Sequence, residues 1–210
     1  ITYTRIKKGN TLKHLYNLII LTTIIILTTT SSLLAETCVQ LKKDSIEVKW
    51  TAFKTPAKIG VSGKLKSVTL TGPSKGQSIQ EILEKSSFSI ATDKSSIDSK
   101  NPSRDAKIAK AFFSTLKKNG QITGRVSKFL AKKKNQFIIS LNLNGVTKKL
   151  PLTFKVNQLN LSAEGFIDVL DYSMAAQLAA LNKACFAKHE GKTWSDVEVK
   201  LYAQFENCSK

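Results

Sequence analysis

The chain is poor in the residues that carry most catalysis. It has two histidines, three cysteines and 15 acidic residues in 210. One histidine, His14, falls in the N-terminal segment, so the rest of the chain has only His189. There is no Cys-x-x-Cys, no Gly-x-Ser-x-Gly, no phosphate-binding loop and no pair of carboxylates at a recognisable catalytic spacing. A zinc site needs three or four ligands, and nothing near Cys185 and His189 supplies them. Those two residues, four apart, are the remaining candidates for a nucleophile and base; the alternative is a structural cysteine with a histidine closing a helix. The chain therefore reads as a non-enzyme, with no catalytic residues, no metal site and no cofactor expected.

Acid is scarce and base abundant. Lys+Arg number 33, for a net charge of +18. Residues 1–35 hold Arg5, Lys7, Lys8 and Lys13, then the apolar run Leu18 to Leu27, then small residues ending at Ala35. That order predicts a cleaved secretory signal peptide, and hence a periplasmic protein. The competing reading is an uncleaved membrane anchor, although a run of ten residues is short of the ~20 that a spanning helix needs. The chain starts at Ile1 rather than Met, so its first residues carry no weight. Without residues 1–35 the balance is 29 Lys+Arg against 15 Asp+Glu, a net of +14. In an exported protein this points to anionic headgroups or acidic glycans and not to nucleic acid; the plainer reading is a solvated surface with lysines guarding strand edges.

The pattern that is present is period two. In Gln136 to Val156, alternation on both sides of Asn144-Gly145 predicts a hairpin with a two-residue turn. Its register pairs Leu143 with Val146, Leu141 with Lys148, Ile139 with Leu150 and Phe137 with Leu152. Further strands are predicted at 44–53, with Ile46, Val48, Trp50 and Ala52 on one face; at 59–71, with a slip of phase near Lys66-Ser67; at Phe88 to Thr92; at Gln121 to Leu130; at Leu159 to Val169, interrupted at Glu164-Gly165; and at 195–205. Ser78 opens a short helix with Glu81 in a capping box. Ser103 is expected to cap a second helix, with Asp105 favouring its positive end and Ile108, Ala111 and Phe112 as its stripe. Ser173 is expected to cap a third, with the stripe Met174, Leu178, Leu181 and Cys185.

About eight antiparallel strands with two or three short helices predict a mainly β, closed eight-stranded barrel over residues 36–210. Such a barrel is either filled by side chains or just wide enough for one small ligand. If the first and last strands close it antiparallel, Cys38 and Cys208 are neighbours and form the disulfide, leaving Cys185 free.

Three runs carry a resemblance. Ser99 to Phe113, SKNPSRDAKIAKAFF, looks like the RD…FF helix of the YceI-like family of periplasmic polyisoprenoid-binding proteins. Leu141 to Phe154 resembles that family's hairpin, and Val61-Ser62-Gly63-Lys64-Leu65 its opening strands. The resemblance implies a lipocalin-like barrel with an apolar channel for an isoprenoid tail. The expected channel residues are Ile46, Val48, Trp50, Phe88, Ile90, Phe137, Ile139, Leu141, Leu152, Phe154, Val199 and Leu201, with Phe112 or Phe113 at the mouth. The ligand is then a long-chain isoprenoid or similar lipid that the protein carries or stores. The alternative is an exported cationic scaffold binding glycans or headgroups through surface lysines. An anionic membrane surface is a further expected partner, and a homodimer remains open.

Overall fold

The protein was analysed as a computed structural model, which describes residues 38–42, 44–91, 96–117, 121–130 and 135–209. The expected signal peptide lies outside these residues, and Thr37–Lys210 forms a compact unit of its own.

Nine strands make the wall: β2 Glu47–Lys54, β3 Ile59–Leu65, β4 Val68–Thr71, β6 Ser87–Ala91, β8 Gln121–Leu130, β9 Gln136–Leu143, β10 Val146–Asn157, β11 Asn160–Asp168 and β12 Thr193–Asn207. Three short strands accompany them: β1 Val39–Leu41, β5 Lys75–Gly76 and β7 Ile97–Asp98. The order of neighbours is β4-β6-β8-β9-β10-β11-β12-β2-β3-β7, all antiparallel. β3 and β4 lie at opposite margins of the wall, yet only Lys66-Ser67 separates them in the chain. One bent strand thus supplies both margins, so the wall has eight positions. It is curled and joined through the chain, with no ladder between the margins among the described residues. The bend falls at the expected slip of phase. Ser67 takes a left-handed conformation (φ 59°), and the Lys66 amide donates to the Ser96 carbonyl at 2.6 Å. The slip is what turns Leu65, Val68 and Leu70 all toward the inside.

The hairpin register is the one alternation predicts, from Leu143 opposite Val146 to Phe137 opposite Leu152. β11 runs unbroken through Glu164-Gly165, because Gly165 pairs in register with Val199. The disulfide joins Cys38 to Cys208 with Cα atoms 5.4 Å apart, and Cys185 is free. β1 lies along the end of β12, Val39 opposite Asn207. It does not close the wall, since β2 already occupies that side of β12.

The helices differ more from expectation. Helix α1, Ile79–Glu84, has the predicted Ser78 cap, whose hydroxyl accepts the Glu81 amide at 3.1 Å. It plugs one end of the barrel with Ile82, which is fully buried among Leu161, Ala203 and Phe205. Helix α2, Pro102–Ile108, is capped by Asn101 and not by Ser103. Proline suits the first helical position, so the cap falls one residue before it, and the Asn101 carboxamide accepts the Arg104 amide at 3.0 Å. Ser173 does not cap helix α3, Ala175–Ala184: it sits in the left-handed region (φ 57°) at the end of a 3-10 turn, Val169–Tyr172. The expected continuous helix breaks at Cys185, and a separate turn α4, Phe186–His189, follows.

The Asn144-Gly145 turn is not a solvated tip. Asn144 is 3% exposed. Its amide nitrogen donates to the carbonyls of Tyr172 (3.1 Å) and Ser173 (3.3 Å), and its oxygen accepts the Lys117 amide at 3.0 Å. One side chain so ties the hairpin to the segment after α2 and to the segment before α3. We expect Asn144→Gly, which keeps the left-handed turn but loses these bonds, to cost about 2 kcal/mol. Asn144→Asp should cost more, because it sets a carboxylate against two carbonyl oxygens. Urea unfolding of residues 37–210 checks both; an Asn144→Gly midpoint equal to wild type would refute the clamp.

Candidate functional site

The inward faces of the wall enclose a cavity of about 230 Å³. Among the described residues its lining contains no Asp, Glu, Lys, Arg or His; apart from the two indoles its polar side chains are Ser86 and Thr193. Of the channel residues expected from sequence, Ile46, Val48, Trp50, Phe88, Ile90, Phe112, Phe113, Phe137, Ile139, Leu141, Leu152, Val199 and Leu201 all line it. Phe154 does not. It is in phase with Leu152, but its ring lies against Phe129 (centroids 5.0 Å) and Phe137 (5.7 Å), filling the interior beside the cavity.

Two aromatic rings lie flat because the facing residue is glycine. Trp50 pairs with Gly63, and Phe88 with Gly124. A Cβ at Gly63 would overlap the Trp50 ring, and one at Gly124 would come within 2.5 Å of the Phe88 ring. Glycine in a strand interior commonly marks such close approach. Each ring is thereby laid against the wall, which keeps the centre open.

The lid is the segment after α2. It continues as a π-turn, Ala109–Phe113, closed by the Ser114 amide on the Ala109 carbonyl at 2.8 Å. In an α-helix, Ile108 and Phe112 share a face while Phe113 points about 100° away. The wider turn aligns residues five apart, so Phe113 joins Ile108 over the cavity and Phe112 stays beside it. The two rings meet edge to face at 5.1 Å. Ala111, expected in the stripe, is not in the lining. From α3 come Leu178 and Leu181, while Cys185, the last residue of the expected stripe, is absent from it.

Asp105 lies in the first turn of α2, where its charge suits the helix dipole as expected, and Arg104 stands beside it. Both close on Ser99: the Asp105 carboxylate accepts the Ser99 amide at 3.0 Å and its hydroxyl, and Arg104 Nε donates to that hydroxyl oxygen at 2.8 Å. Arg104 Nη2 also donates to the Ser99 carbonyl, at 2.6 Å. Asp105 is buried. The pair fixes the segment that leads into the lid.

Alternation did not find Thr193 and Trp194, although both line the cavity. The β12–β2 register shifts between Thr193 and Val197, so two successive residues reach the same side. The Trp194 indole donates to the Thr55 carbonyl at 2.8 Å. The Thr193 hydroxyl donates to Asn182 Oδ1 at 2.9 Å, which leaves its oxygen to accept from His189 Nδ1 at 2.7 Å. His189 is therefore committed to Thr193, and its backbone, not its ring, meets Cys185, whose carbonyl accepts the His189 amide at 2.9 Å. Among the described residues no three His, Cys, Asp or Glu side chains gather as metal ligands, and no helix is long and apolar enough to cross a membrane.

An antiparallel wall curled round an apolar cavity, with a helical lid, defines the class of lipocalin-like barrels. Residues 39–205 match the YceI-like domain, and the chain belongs to that family. No curated protein matches it. Several solved structures resemble it, among them the following two. One is a polyisoprenoid binding domain from Saccharophagus degradans implicated in plant cell wall breakdown: 15% identity, TM-score 0.57, covering 82% of this chain and 99% of that one. The other is BcnA from Burkholderia cenocepacia: 15% identity, TM-score 0.52, covering 77% and 96%. At these identities the likeness is one of fold.

Two outcomes follow from this geometry. Gly124→Ala should press Phe88 off the wall into the cavity and cost about 1–3 kcal/mol. It should lower uptake of an apolar fluorescent probe, and Phe88→Ala in the same chain should restore uptake; undiminished uptake in Gly124→Ala would show that the ring's position does not matter. Burial, then the charges of Lys54 and Lys107, hold the His189 pKa below its ordinary value. A lowered histidine pKa means the unfolded chain binds the proton first, so stability is full above about pH 6.5 and falls as pH drops below it. Residues 37–210 contain no other histidine. The loss of thermal stability from about pH 7 to pH 5 should be smaller in His189→Asn than in wild type; equal losses would show that the ring is not responsible.

Proposed function

We propose that this protein is an exported, non-enzymatic binding protein that carries or stores an isoprenoid-type lipid in its barrel. The observation that carries the reading is the lining: a cavity walled by more than thirty residues with no charged side chain. Such a site cannot hold a polar substrate, since an unpaired buried polar group costs ~2–7 kcal/mol. It rewards an apolar chain at about 0.8 kcal/mol per buried CH₂. A tail of about forty carbons at ~0.3 kcal/mol per heavy atom reaches nanomolar affinity. The empty cavity is smaller than the ~300–1,000 Å³ of ordinary small-molecule pockets. A long tail therefore enters only as the half-buried rings of the lid, Phe112 and Phe113, turn aside. Family membership, the polyisoprenoid binding domain among the similar folds and the basic-apolar-small leader support the same reading, including its placement in the periplasm.

The test is organic extraction and mass spectrometry of residues 37–210 purified after export. A long-chain apolar molecule is expected. Its absence, with no uptake of an added polyprenyl lipid, overturns the carrier reading. Leu141→Trp should fill the middle of the channel and Phe113→Ala should loosen its lid, each changing the amount retained, whereas Lys155→Ala on the exposed face of β10 should not. Equal loads in all three would place the lipid elsewhere.

A further inference from the structure

The two ends of the barrel differ in charge. At the disulfide end acids stand among the bases: Lys85 pairs with Glu81 at 2.7 Å, and Glu206 accepts from the neutral Gln40 amide. At the other end β2 turns into β3 and α4 leads into β12, and five lysines meet there. Lys58 and Lys192 hold their ammonium groups over the Trp194 ring, 4.9 and 4.6 Å from its centroid. Lys54 donates to the Lys188 carbonyl at 3.3 Å. Lys54 and Lys107 both bear on His189. Against them stand Glu190 in the same turn, Asp196, which binds Lys58 at 2.9 Å, and Asp168, opposite Asp196 in the β11–β12 ladder.

Apolar side chains stand out among these lysines. Phe186 on α4 is 64% exposed and Ile59 at the start of β3 is 52% exposed. Ile59 lies opposite Lys54 in the β2–β3 ladder. The Phe186 ring lies over Gly191, next to Lys192. They project singly from turns, ringed by base, and do not form a flat patch of the kind a protein interface buries. The surface is continuous with the cavity, because Trp194, which carries two of the lysines, and Thr193 are also in the cavity wall.

We propose that this end docks on an anionic lipid bilayer. Phe186 and Ile59 enter the headgroup region, where an apolar side chain gains by leaving water. Lys54, Lys107, Lys188 and Lys192 meet lipid phosphates, and Trp194 sits at the interfacial depth that indoles favour. Docking in this orientation presents the Thr193–Trp194 end of the cavity to the membrane. The proposal stands on surface residues and not on what fills the cavity, so it can fail while the carrier reading holds, and the reverse.

The experiment floats residues 37–210 with vesicles of phosphatidylcholine alone, or with about one third phosphatidylglycerol added. Binding is expected only to the second, and should weaken as salt rises. Lys54→Glu/Lys192→Glu should reduce it roughly tenfold or more, and Ile59→Ser/Phe186→Ser several-fold. Lys42→Glu/Lys75→Glu makes the same charge change at the disulfide end and should have a clearly smaller effect. Circular dichroism and melting confirm that each variant is folded. Equal binding to both vesicles, an equal loss in the two lysine pairs, or full binding by Ile59→Ser/Phe186→Ser overturns the proposal; the last two would mean adsorption by net charge alone.

Discussion

The structure depends on one strand being asked to serve two margins. A twisted antiparallel sheet of this size has two unpaired edges, and edges invite association. Here the chain bends at Lys66-Ser67, so β3 continues the wall on the β2 side and β4 starts it on the β6 side. The bend curls the sheet, and the curl creates an inside. Everything else is a response to that inside. α1 plugs one end with Ile82; the π-turn and α3 cover the other region with Ile108, Phe112, Phe113, Leu178 and Leu181. Asn144 holds the two segments that carry this cover. The disulfide sits beyond the plug and pins the short β1 to the end of β12.

An enclosed space survives in such a fold only if collapse is prevented. Protein interiors pack at the density of organic crystals, and the inward residues here are large and apolar. What keeps them apart is rigid backing. Phe137 is wedged between the wall and the rings of Phe129 and Phe154. Trp50 and Phe88 lie against glycines that accept no other neighbour. The aromatic residues thus act as panelling, held by what stands behind them, and not as filler.

Much of this was legible before any coordinates, and the boundary is instructive. Period-two alternation fixes which residues face in wherever strands run unbroken, so the hairpin register, the phase slip at Lys66-Ser67 and the inward face of β12 from Val197 onward could all be read. The disulfide followed from strand ends. Alternation fails where the period changes locally. The bulge before Val197 concealed Trp194, and the π-turn at Ala109–Phe113 put Phe113 over the cavity when a 3.6-residue period leaves it aside. Phe154 shows a different limit: facing inward does not say whether a side chain meets a void or another ring. Caps were misread for the same kind of reason. Ser103 and Ser173 are good caps by residue type, but Pro102 takes the first helical position and moves one cap to Asn101, a signal that was present in the sequence, while at Ser173 the left-handed end of the 3-10 turn decides.

The polar residues that a catalytic reading would single out turn out to be placed around the void and not in it. Arg104 and Asp105 close on Ser99 beneath the lid segment. His189 and Asn182 close on Thr193 at one end of the cavity. In each case the hydrogen bonds are spent within the protein, so the groups position backbone and leave the lining without charge. A cavity so lined can discriminate by length and girth, because those decide how much apolar surface leaves water. Polar groups gather instead at the rim, where Thr193 keeps one lone pair and the lysines about Trp194 lie close by. The sequence's scarcity of acid and its excess of lysine then meet in one arrangement: an apolar lining inside, and lysines gathered about Trp194 at the end where that lining reaches the surface.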